Sequence, residues 1–447
     1  MKLTGLLLYT LFFSWVACAQ NKGYHIEVKV KNLPNSQAQL AYYFEDKQYL
    51  VADGKTNEKG IVTFKGDEKL PTGLYILFFP ESNLFLDLIV SEDQEFVIDS
   101  EKDDFTKKLR ISGSADNKAF LEYQVQMSEL VMQQQTIDTL AKYTQNPDSV
   151  KWCTSEHEKL QKAFAQTNKI AVEQNEETFF ADILLAMNAA EISGDAMWDA
   201  VNFNQAGLIR TPFFYRLIRM HIGRYIEMPP QVINQKTDLL MSKAKVNDEM
   251  YRYIAGYLLN FYRSFTKVGM NEVFVHIAET YFLQGKASWI EPSGLKLIAE
   301  QTEIFKASMP GQTARNVKLA TLTGDSLSLH HVNARVTLVF FWSTGCGHCT
   351  TAIDGLKQYY AVLKSKNIEI IGVNIDAGSM EQLNKHMAAN PVAWTTCTDI
   401  KNASRYKEYY YVASSPIMYV LDDKKVIRNK LIGELQIVET AKLLSEN

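Results

Sequence analysis

The chain has 447 residues, 46% hydrophobic and 22% charged, and its 47 Lys and Arg against 51 Asp and Glu give a net charge of −4. At about 100–200 residues per domain, this length predicts about three domains, and the near-average composition excludes collagen, low-complexity and disordered classes. The charge balance predicts no nucleic-acid partner. Five cysteines in so long a chain exclude a disulfide-stapled miniprotein.

The beginning of the chain is typical of a secretory signal. An apolar run over residues 5–17 follows a lysine and is too short to span a bilayer comfortably. Two processing routes stay open. Cleavage before Gln20 would remove residues 1–19, whereas Val16-Ala17-Cys18 resembles the end of a bacterial lipobox and would keep Cys18 as a lipid anchor. Trp15, where a lipobox usually has Leu, favours cleavage. Both routes predict export to a compartment that permits disulfide chemistry.

Residues 20–115 predict a small antiparallel β-sandwich. His25–Lys31 alternates polar and apolar side chains with the period of two that a half-buried strand requires. Turn signals such as Asp53-Gly54 and Lys59-Gly60 separate further β-rich runs. Because no titratable cluster occurs here, we interpret the region as a structural or partner-binding module.

Residues 116–310 predict an all-α domain. Between Gly113 and Gly194 there is no glycine and a single proline, and apolar side chains recur at helical spacing. The many Met and aromatic residues are interpreted as core. The histidines are scattered without metal-ligand spacing, and Cys153 is interpreted as a buried small hydrophobe.

Residues 311–447 predict an α/β domain. A hairpin around Gly324-Asp325 precedes the uninterrupted apolar strand 337–342, which is typical of a strand buried on both faces. A helix, a strand over Ile368–Ile375 and a second helix over Met380–Ala389 follow, before further strands and a terminal helix. This alternation of strands and helices indicates a layered α/β sheet fold.

Cys346 and Cys349 lie where this buried strand ends and the next helix begins. A spacing of three in the first helical turn lets the two sulfurs approach bonding distance. The first sulfur then faces unpaired N–H groups and the positive end of the helix dipole, both of which stabilise a thiolate. The pattern predicts a redox-active disulfide couple, with Cys346 as the attacking thiol and Cys349 as the resolving thiol.

Two interpretations of this cysteine pair without redox chemistry, a zinc site and a structural disulfide, are disfavoured. A zinc site needs two further ligands, and the sequence has no second C-x-x-C and no H-x-x-x-H. We therefore predict no metal and no cofactor. A structural disulfide over so short a loop would stabilise the fold less than one that closes a longer loop.

The segment Phe341–Cys349, with its Cys-Gly-His-Cys sequence, resembles the active-site segment of thioredoxin-like proteins. With the preceding hairpin and the following strand, residues 311–447 resemble the TlpA/ResA branch of exported thiol–disulfide oxidoreductases. The whole layout resembles multidomain members from Bacteroidetes. The resemblance implies a periplasmic enzyme whose partners are disulfide- or dithiol-containing envelope proteins and a membrane redox protein. The resemblance implies no role for residues 20–115 or for residues 116–310.

The resemblance also implies a substrate-binding surface. Pro416 would be a cis-proline facing the dithiol, although an ordinary trans proline also fits the first position of a strand. The backbone of Ser415 would pair with substrate as a short β-addition. Trp342 would also belong to the substrate-binding side, as a packing residue that flanks the loop of the two cysteines. His348, between the cysteines, is expected to stabilise the thiolate and make the disulfide more oxidising.

Two positions depart from the family in a way that bears on mechanism. The buried Asp of thioredoxin would align with Phe340, and the Glu that TlpA/ResA-type proteins carry three residues after the second Cys would align with Ala352. The sequence therefore assigns no base to Cys349.

Two other functions stay open. The missing acid favours a partner-binding protein in which the redox domain is regulatory or vestigial. A thiol peroxidase is less favoured. Ser343 stands three residues before Cys346, as in the T/S-x-x-C segment of peroxiredoxins, but their preceding proline would fall at Val339.

Overall fold

The computed structural model describes residues 23–265, 269–412 and 414–446. The predicted signal segment, with its cleavage site and Cys18, lies outside the described residues. The chain divides between Gly223 and Arg224 into two compact units. Within the described ranges, no helix is long and apolar enough to cross a membrane.

The first unit begins with a β-sandwich. Its eight strands are β1 (Tyr24–Lys31), β2 (Gln37–Phe44), β3 (Lys47–Lys55), β4 (Ile61–Gly66), β5 (Gly73–Phe79), β6 (Leu84–Val90), β7 (Glu95–Glu101) and β8 (Arg110–Ser112). They form two four-stranded sheets in the orders β4-β1-β7-β8 and β3-β2-β5-β6. Ile26 and Ile98 of one sheet share a core with Leu40 and Leu77 of the other. The predicted sandwich is confirmed.

One sheet of the sandwich is mixed rather than purely antiparallel. β1 pairs antiparallel with β4 but parallel with β7. Between β1 and β7 the chain forms β4 and all four strands of the other sheet, and such a long crossover can return a strand in the same direction. The alternation predicted for β1 is observed, with Ile26, Val28 and Val30 buried.

Helices complete the first unit. They are α1 (Ala115–Tyr143), α2 (Pro147–Gln174), α3 (Phe179–Ala189) and α4 (Pro212–Tyr225), the last two residues of which belong to the second unit. Ser114 caps α1 by accepting from the Asn117 N–H, and Asn146 caps α2. α1 and α2 form a hairpin in which the Tyr123 hydroxyl donates to Asn168 Oδ1 at 2.6 Å.

Among the described residues of the second unit, the helices that follow α4 are α5 (Pro230–Ala244), α6 (Asp248–Ser264), α7 (Met270–Ile277) and α8 (Pro292–Ala307). They pack on the α/β region that follows. The ring of Phe305 in α8 lies 4.4 Å from that of Tyr411, centroid to centroid. The Tyr411 hydroxyl donates to the main-chain oxygen of Arg263 in α6 at 3.2 Å. The helical region thus contributes to both units, and the domain boundaries drawn from the sequence stay a prediction.

The rest of the second unit is a seven-stranded sheet with helices. In chain order its elements are β9 (Lys318–Thr321), β10 (Ser326–Ser328), β11 (Val336–Trp342), α9 (Gly347–Ser365), β12 (Ile368–Asn374), α10 (Met380–Ala389), β13 (Thr395–Thr398), α11 (Tyr406–Tyr409), β14 (Ile417–Asp422), β15 (Ile427–Ile432) and α12 (Glu434–Glu446). The strand order is β10-β9-β13-β12-β11-β14-β15. The predicted α/β class is confirmed.

β11 lies inside this sheet and is buried on both faces, as predicted. Leu338, Phe340 and Trp342 belong to one core cluster, and Val339 and Phe341 belong to another. β11 pairs parallel with β12 and antiparallel with β14. The antiparallel pairing brings the start of β14 beside the end of β11, which places the segment before β14 next to the two cysteines.

Candidate active site

Cys346 occupies the cap of α9. Its backbone is extended, with φ −103° and ψ 112°, and its sulfur accepts from the Cys349 N–H at 3.2 Å. A thiol thus fills the position at which a hydroxyl or carboxylate usually caps a helix. The sulfur therefore lies at the positive end of the α9 dipole, which favours its anionic form.

The pKa of the Cys346 thiol is lowered. Partial burial acts to raise it, but hydrogen bonds from the Cys349 side chain and main chain, the Ser415 side chain and the His348 main chain outweigh burial. In the structure both cysteines are free thiols, and Cys346 Sγ donates to the main-chain oxygen of Ser415 at 3.6 Å. A partly exposed thiol with a lowered pKa is suited to nucleophilic attack.

Cys349 differs from Cys346 both in its burial and in the direction of its pKa shift. It is fully buried in a core cluster that includes Phe340, Ala352 and Leu356. Burial, reinforced by the hydrogen bond to Cys346, raises the pKa of the Cys349 thiol to about 11. Cys349 therefore keeps its proton at neutral pH, which agrees with a resolving role.

The segment before β14 faces the thiols. The Ser415–Pro416 peptide bond is cis, as the resemblance implied. Ile417, the first residue of β14, pairs with Phe341 of β11. Ser415 Oγ lies 3.1 Å from Ser343 Oγ, and the Ser415 side chain acts to lower the pKa of both thiols. From the sequence we predicted a role for the backbone of Ser415 and none for its hydroxyl.

His348 lies two residues after Cys346 in the chain, and its ring contacts a different partner. Its side chain is 75% exposed, and Nδ1 lies 3.1 Å from Oε1 of Glu434 at the start of α12. The pKa of the Glu434 carboxyl is lowered by its own main-chain N–H and by His348. His348 acts on Cys346 through its main-chain N–H. Tuning by the imidazole stays a prediction.

A carboxylate missed in the sequence fixes the loop between β11 and α9. Asp376 accepts from the Thr344 N–H at 3.0 Å, from Thr344 Oγ1 at 2.9 Å and from Asn374 Nδ2 at 2.9 Å. Although burial acts to raise the pKa of Asp376, these hydrogen bonds lower it. The sequence indicated this role of Asp376 only by its position just after β12, the strand that pairs parallel with β11.

Trp342 is the predicted substrate-side residue that the structure does not bring to the surface. It is 2% exposed, and its ring lies 5.7 Å from that of His386 in α10. Its place is the core below the loop, as a packing residue. Elsewhere, Cys153 is buried, as interpreted from the sequence, and Cys397 in β13 is buried as well. In the part of the chain that the structure describes, no group of three His, Cys, Asp or Glu could hold a metal ion.

Comparison with known proteins identifies two regions. Residues 310–430 match the AhpC/TSA family, and residues 24–120 match a domain of unknown function, DUF4369. Thioredoxin-like protein YneN of Bacillus subtilis is 28% identical over 130 residues, which is 28% of this chain and 72% of that protein. Thiol-disulfide oxidoreductase ResA of Bacillus cereus is 24% identical over 127 residues, covering 28% of this chain and 70% of that protein.

Two solved structures are also similar. A thioredoxin-like protein from Bacteroides caccae gives a TM-score of 0.45 at 19% identity, covering 59% of this chain and 93% of that chain. The thioredoxin domain of a thiol-disulfide oxidoreductase from Bacteroides vulgatus gives 0.29 at 23% identity, covering 31% and 98%. The sequence matches make residues 310–430 a thioredoxin-like domain of the AhpC/TSA family, distantly homologous to the ResA and YneN proteins. The predicted resemblance is confirmed.

Proposed function

We propose that this protein is an exported thiol–disulfide oxidoreductase that exchanges disulfides with periplasmic proteins through Cys346 and Cys349. The observation that carries the proposal is the asymmetry of the two thiols. Cys346 caps a helix, is partly exposed and has a lowered pKa, whereas Cys349 is buried and has a raised pKa. Distant homology of residues 310–430 to thiol-disulfide oxidoreductases supports the same reaction class.

The reaction follows from the asymmetry in two steps. The Cys346 thiolate attacks one sulfur of a substrate disulfide, forms a mixed disulfide and releases the other substrate sulfur as a thiolate. Cys349 then loses its proton and attacks Cys346 Sγ, which forms the Cys346–Cys349 disulfide and releases the second substrate sulfur. Two electrons pass from the protein dithiol to the substrate. The reverse sequence oxidises a substrate dithiol.

Ser415 offers a contact for the substrate backbone. In the dithiol form its main-chain oxygen accepts from the Cys346 thiol at 3.6 Å. Once Cys346 is a thiolate or is joined to substrate, it no longer donates a proton, and this oxygen is free to accept from a substrate N–H. One main-chain hydrogen bond beside the reacting sulfur positions an extended peptide without selecting its side chains.

The compartment and the redox partner belong to the proposal. The apolar run of residues 5–17 is typical of an export signal, and a protein with a reactive dithiol functions where substrate disulfides exist. A membrane redox protein would return the couple to its starting state after each cycle. Cell fractionation tests the location, and globomycin treatment tests lipidation at Cys18.

Trapping of intermediates tests the proposed reaction. With Cys349→Ser, the second step is blocked, so mixed disulfides between Cys346 and periplasmic proteins should accumulate and disappear on reduction. Cys153→Ser is the matched control, because that buried thiol lies far from the pair in sequence and in the other compact unit. Absence of adducts, together with no turnover of small disulfides by the unaltered protein, would refute the proposal. The reduction potential of the couple decides whether the protein donates or accepts electrons.

A specific observation favours partner binding as a second candidate. Large apolar side chains of the α1–α2 hairpin are exposed, with Met132 58%, Tyr143 73% and Trp152 50% exposed. Apolar side chains exposed together in one contiguous patch are typical of interaction surfaces. If the redox pair were vestigial, a partner captured by the protein would bind equally well after Cys346→Ser and Cys349→Ser together. Loss of capture in that double variant would argue for the redox function.

A further inference from the structure

The segment before β14 carries the main-chain oxygen that contacts the attacking thiol. The Ser415 oxygen accepts from Cys346 Sγ at 3.6 Å. After this segment the chain is fixed, because the Gly433 N–H donates to the Pro416 oxygen at 3.1 Å. Before it, Tyr410 packs in the core of the sheet. The residues that flank the segment therefore decide where this oxygen lies.

Tyr411, which follows Tyr410, has a backbone conformation that tyrosine rarely adopts. Its φ is 41°, in the left-handed region that favours glycine. A bulky residue stays in this region only when the structure around it holds it there. The conformation of Tyr411 therefore indicates that contacts of its side chain, and not its local preference, set the course of the chain before Ser415.

The helices α6 and α8 supply two of these contacts. The Tyr411 ring lies 4.4 Å from that of Phe305 in α8, at an interplanar angle of 76°. Its hydroxyl donates to the Arg263 oxygen in α6 at 3.2 Å, and burial raises the pKa of this hydroxyl, which therefore keeps its proton. Phe305 is fully buried, with its ring 4.9 Å from that of Phe274 in α7. Tyr411 thus contacts a ring that is fixed among the helices.

The third contact of Tyr411 comes from the sheet. The Lys430 ammonium group in β15 lies 5.4 Å from the centre of the Tyr411 ring and 5.2 Å from that of Tyr419 in β14. Lys430 is only 7% exposed, and an ammonium group removed from water is attracted to the face of an aromatic ring. Burial lowers the pKa of Lys430 to about 8, which leaves it mostly protonated at neutral pH. Tyr411 therefore connects the sheet with the two helices.

We propose that Tyr411 is a positioning residue through which α6 and α8 hold the Ser415 oxygen where a substrate N–H reaches it. This role rests on the proposed disulfide exchange and gives the helices a part in it. Tyr411 precedes Ser415 by four residues, and connecting segments are more mobile than the elements they join. An acceptor that is already held in place loses less entropy when a substrate binds to it.

The test compares two disulfides that differ in their hydrogen-bond donors. The disulfide-linked dimer of a blocked Ala-Cys-Ala tripeptide offers main-chain N–H groups to the Ser415 oxygen, whereas 2,2′-dithiobis(ethanesulfonate) has no donor. In the Cys349→Ser background the mixed disulfide with Cys346 accumulates, and rapid acid quench with mass spectrometry gives its rate of formation. A change in the reactivity of the thiol alters both rates together, so the ratio of the two rates reports the contact with the substrate backbone.

We expect Tyr411→Gly to lower the ratio of the peptide rate to the sulfonate rate by about fivefold, which corresponds to the loss of one ordinary hydrogen bond. Glycine adopts a positive φ without strain, so the variant should fold, and urea unfolding checks this. Phe305→Leu should lower the ratio less, and it should add little to Tyr411→Gly, because both remove the same contact.

Tyr411→Phe removes only the hydroxyl bond to α6 and should lower the ratio by about twofold. Its matched control is Tyr409→Phe, which should leave the ratio unchanged. The Tyr409 ring lies beside the guanidinium groups of Arg315 and Arg405, 5.9 Å and 5.6 Å from its centre.

The outcomes separate this positioning role from the proposed function. An unchanged ratio in Tyr411→Gly, including equal slowing with both disulfides, would mean that Tyr411 only supports the fold and would overturn the positioning role. Fully additive effects of Tyr411→Gly and Phe305→Leu would overturn the route through α8. If the protein with Tyr411 intact forms no mixed disulfide with either reagent, the disulfide exchange itself fails, and the positioning role fails with it.

Discussion

Two clusters of buried polar groups, one in each compact unit, show the difference between a polar site that stabilises and one that reacts. In the first unit, Asn117 of α1 accepts from the Ile89 N–H at 2.8 Å and donates to the Ile89 oxygen at 2.6 Å. It thereby pairs the outer edge of β6, the last strand of its sheet.

Asp116 completes this first cluster. It accepts from Ser91 Oγ at 2.5 Å and from the Phe180 N–H at 3.0 Å, which ties β-strand and helix ends together. Each polar group of this cluster named here thus has a hydrogen-bond partner. At the second cluster, the pKa values of Cys346 and Cys349 are displaced in opposite directions. A fully paired cluster fixes a fold, whereas an asymmetric one supplies a driving force for chemistry.

Removing the attacking thiol should give the largest effect. Cys346→Ser eliminates the nucleophile of the first step, and we expect disulfide exchange to fall by at least about 10³-fold. Stability should hardly change, because serine is also a good helix cap. Turnover of a small disulfide measures the loss of exchange, and the urea midpoint of unfolding measures the stability. Residual exchange within tenfold of the unaltered protein would show that Cys346 is not the nucleophile.

Breaking the first cluster should give the reverse pattern. Asn117→Ala leaves the buried N–H and oxygen of Ile89 without their partner, which should lower the free energy of unfolding by about 2–3 kcal/mol. The rate of alkylation of Cys346 should not change, because Asn117 belongs to the other compact unit. Urea unfolding measures the loss, with Lys118→Ala as an exposed neighbouring control. A stability change as small as that of the control would contradict the structural role.

The pH dependence of alkylation should separate the two thiols. Because the Cys346 pKa lies below its ordinary value of 9.0, its thiolate persists as the pH falls below 9 and is lost only below the lowered pKa. The thiolate of Cys349 should form only as the pH approaches about 11. Iodoacetamide labelling with peptide mass analysis at each pH measures both. Equal pH midpoints for the two cysteines would remove the asymmetry on which the proposed function rests.

The sequence predicted those parts of the site that depend on local order along the chain. The alternation that buries Phe340 and Phe341 on opposite faces of β11 is visible in the sequence, and so is the position of Cys346 at a helix start. Asp376 and Glu434 could not be found in this way. They lie 32 and 86 residues from their partners Thr344 and His348, and strand pairing and the docking of α12 bring them there.

The contact between the hydroxyls of Ser343 and Ser415 could not be found from the sequence either. Ser343 and Ser415 are 72 residues apart, and each has an ordinary alternative explanation as a loop residue. Their meeting depends on the register in which Phe341 pairs with Ile417. Register is set by the whole sheet, since a slip of one residue would turn these side chains to the other face.

Loosening the loop beside Cys346 should give a moderate effect. Asp376→Asn keeps the shape but weakens acceptance from Thr344, so we expect exchange to slow by about tenfold, as charged hydrogen bonds of this kind contribute about 1.5 kcal/mol or more. The sign of the pH effect follows from the lowered pKa of Asp376. Its stabilising contribution is present above the ordinary pKa of 3.8 and is lost as the pH falls through the lowered value. Acid unfolding of the variant, which lacks this carboxylate, should therefore show a smaller fall in stability at low pH.

The smallest effect should come from the ion pair at the rim of the site. Glu434→Gln removes the carboxylate partner of an imidazole that is mostly exposed, and exposed pairs contribute little because water and salt screen them. The main-chain N–H of His348, which acts on Cys346, stays in place. We therefore expect the pH midpoint of Cys346 alkylation to shift by less than about 0.3 units, with His348→Gln as the companion variant. A larger shift in both variants would show that the imidazole tunes the thiolate directly, as the Cys-Gly-His-Cys sequence predicted, and that charge at the rim contributes to the asymmetry.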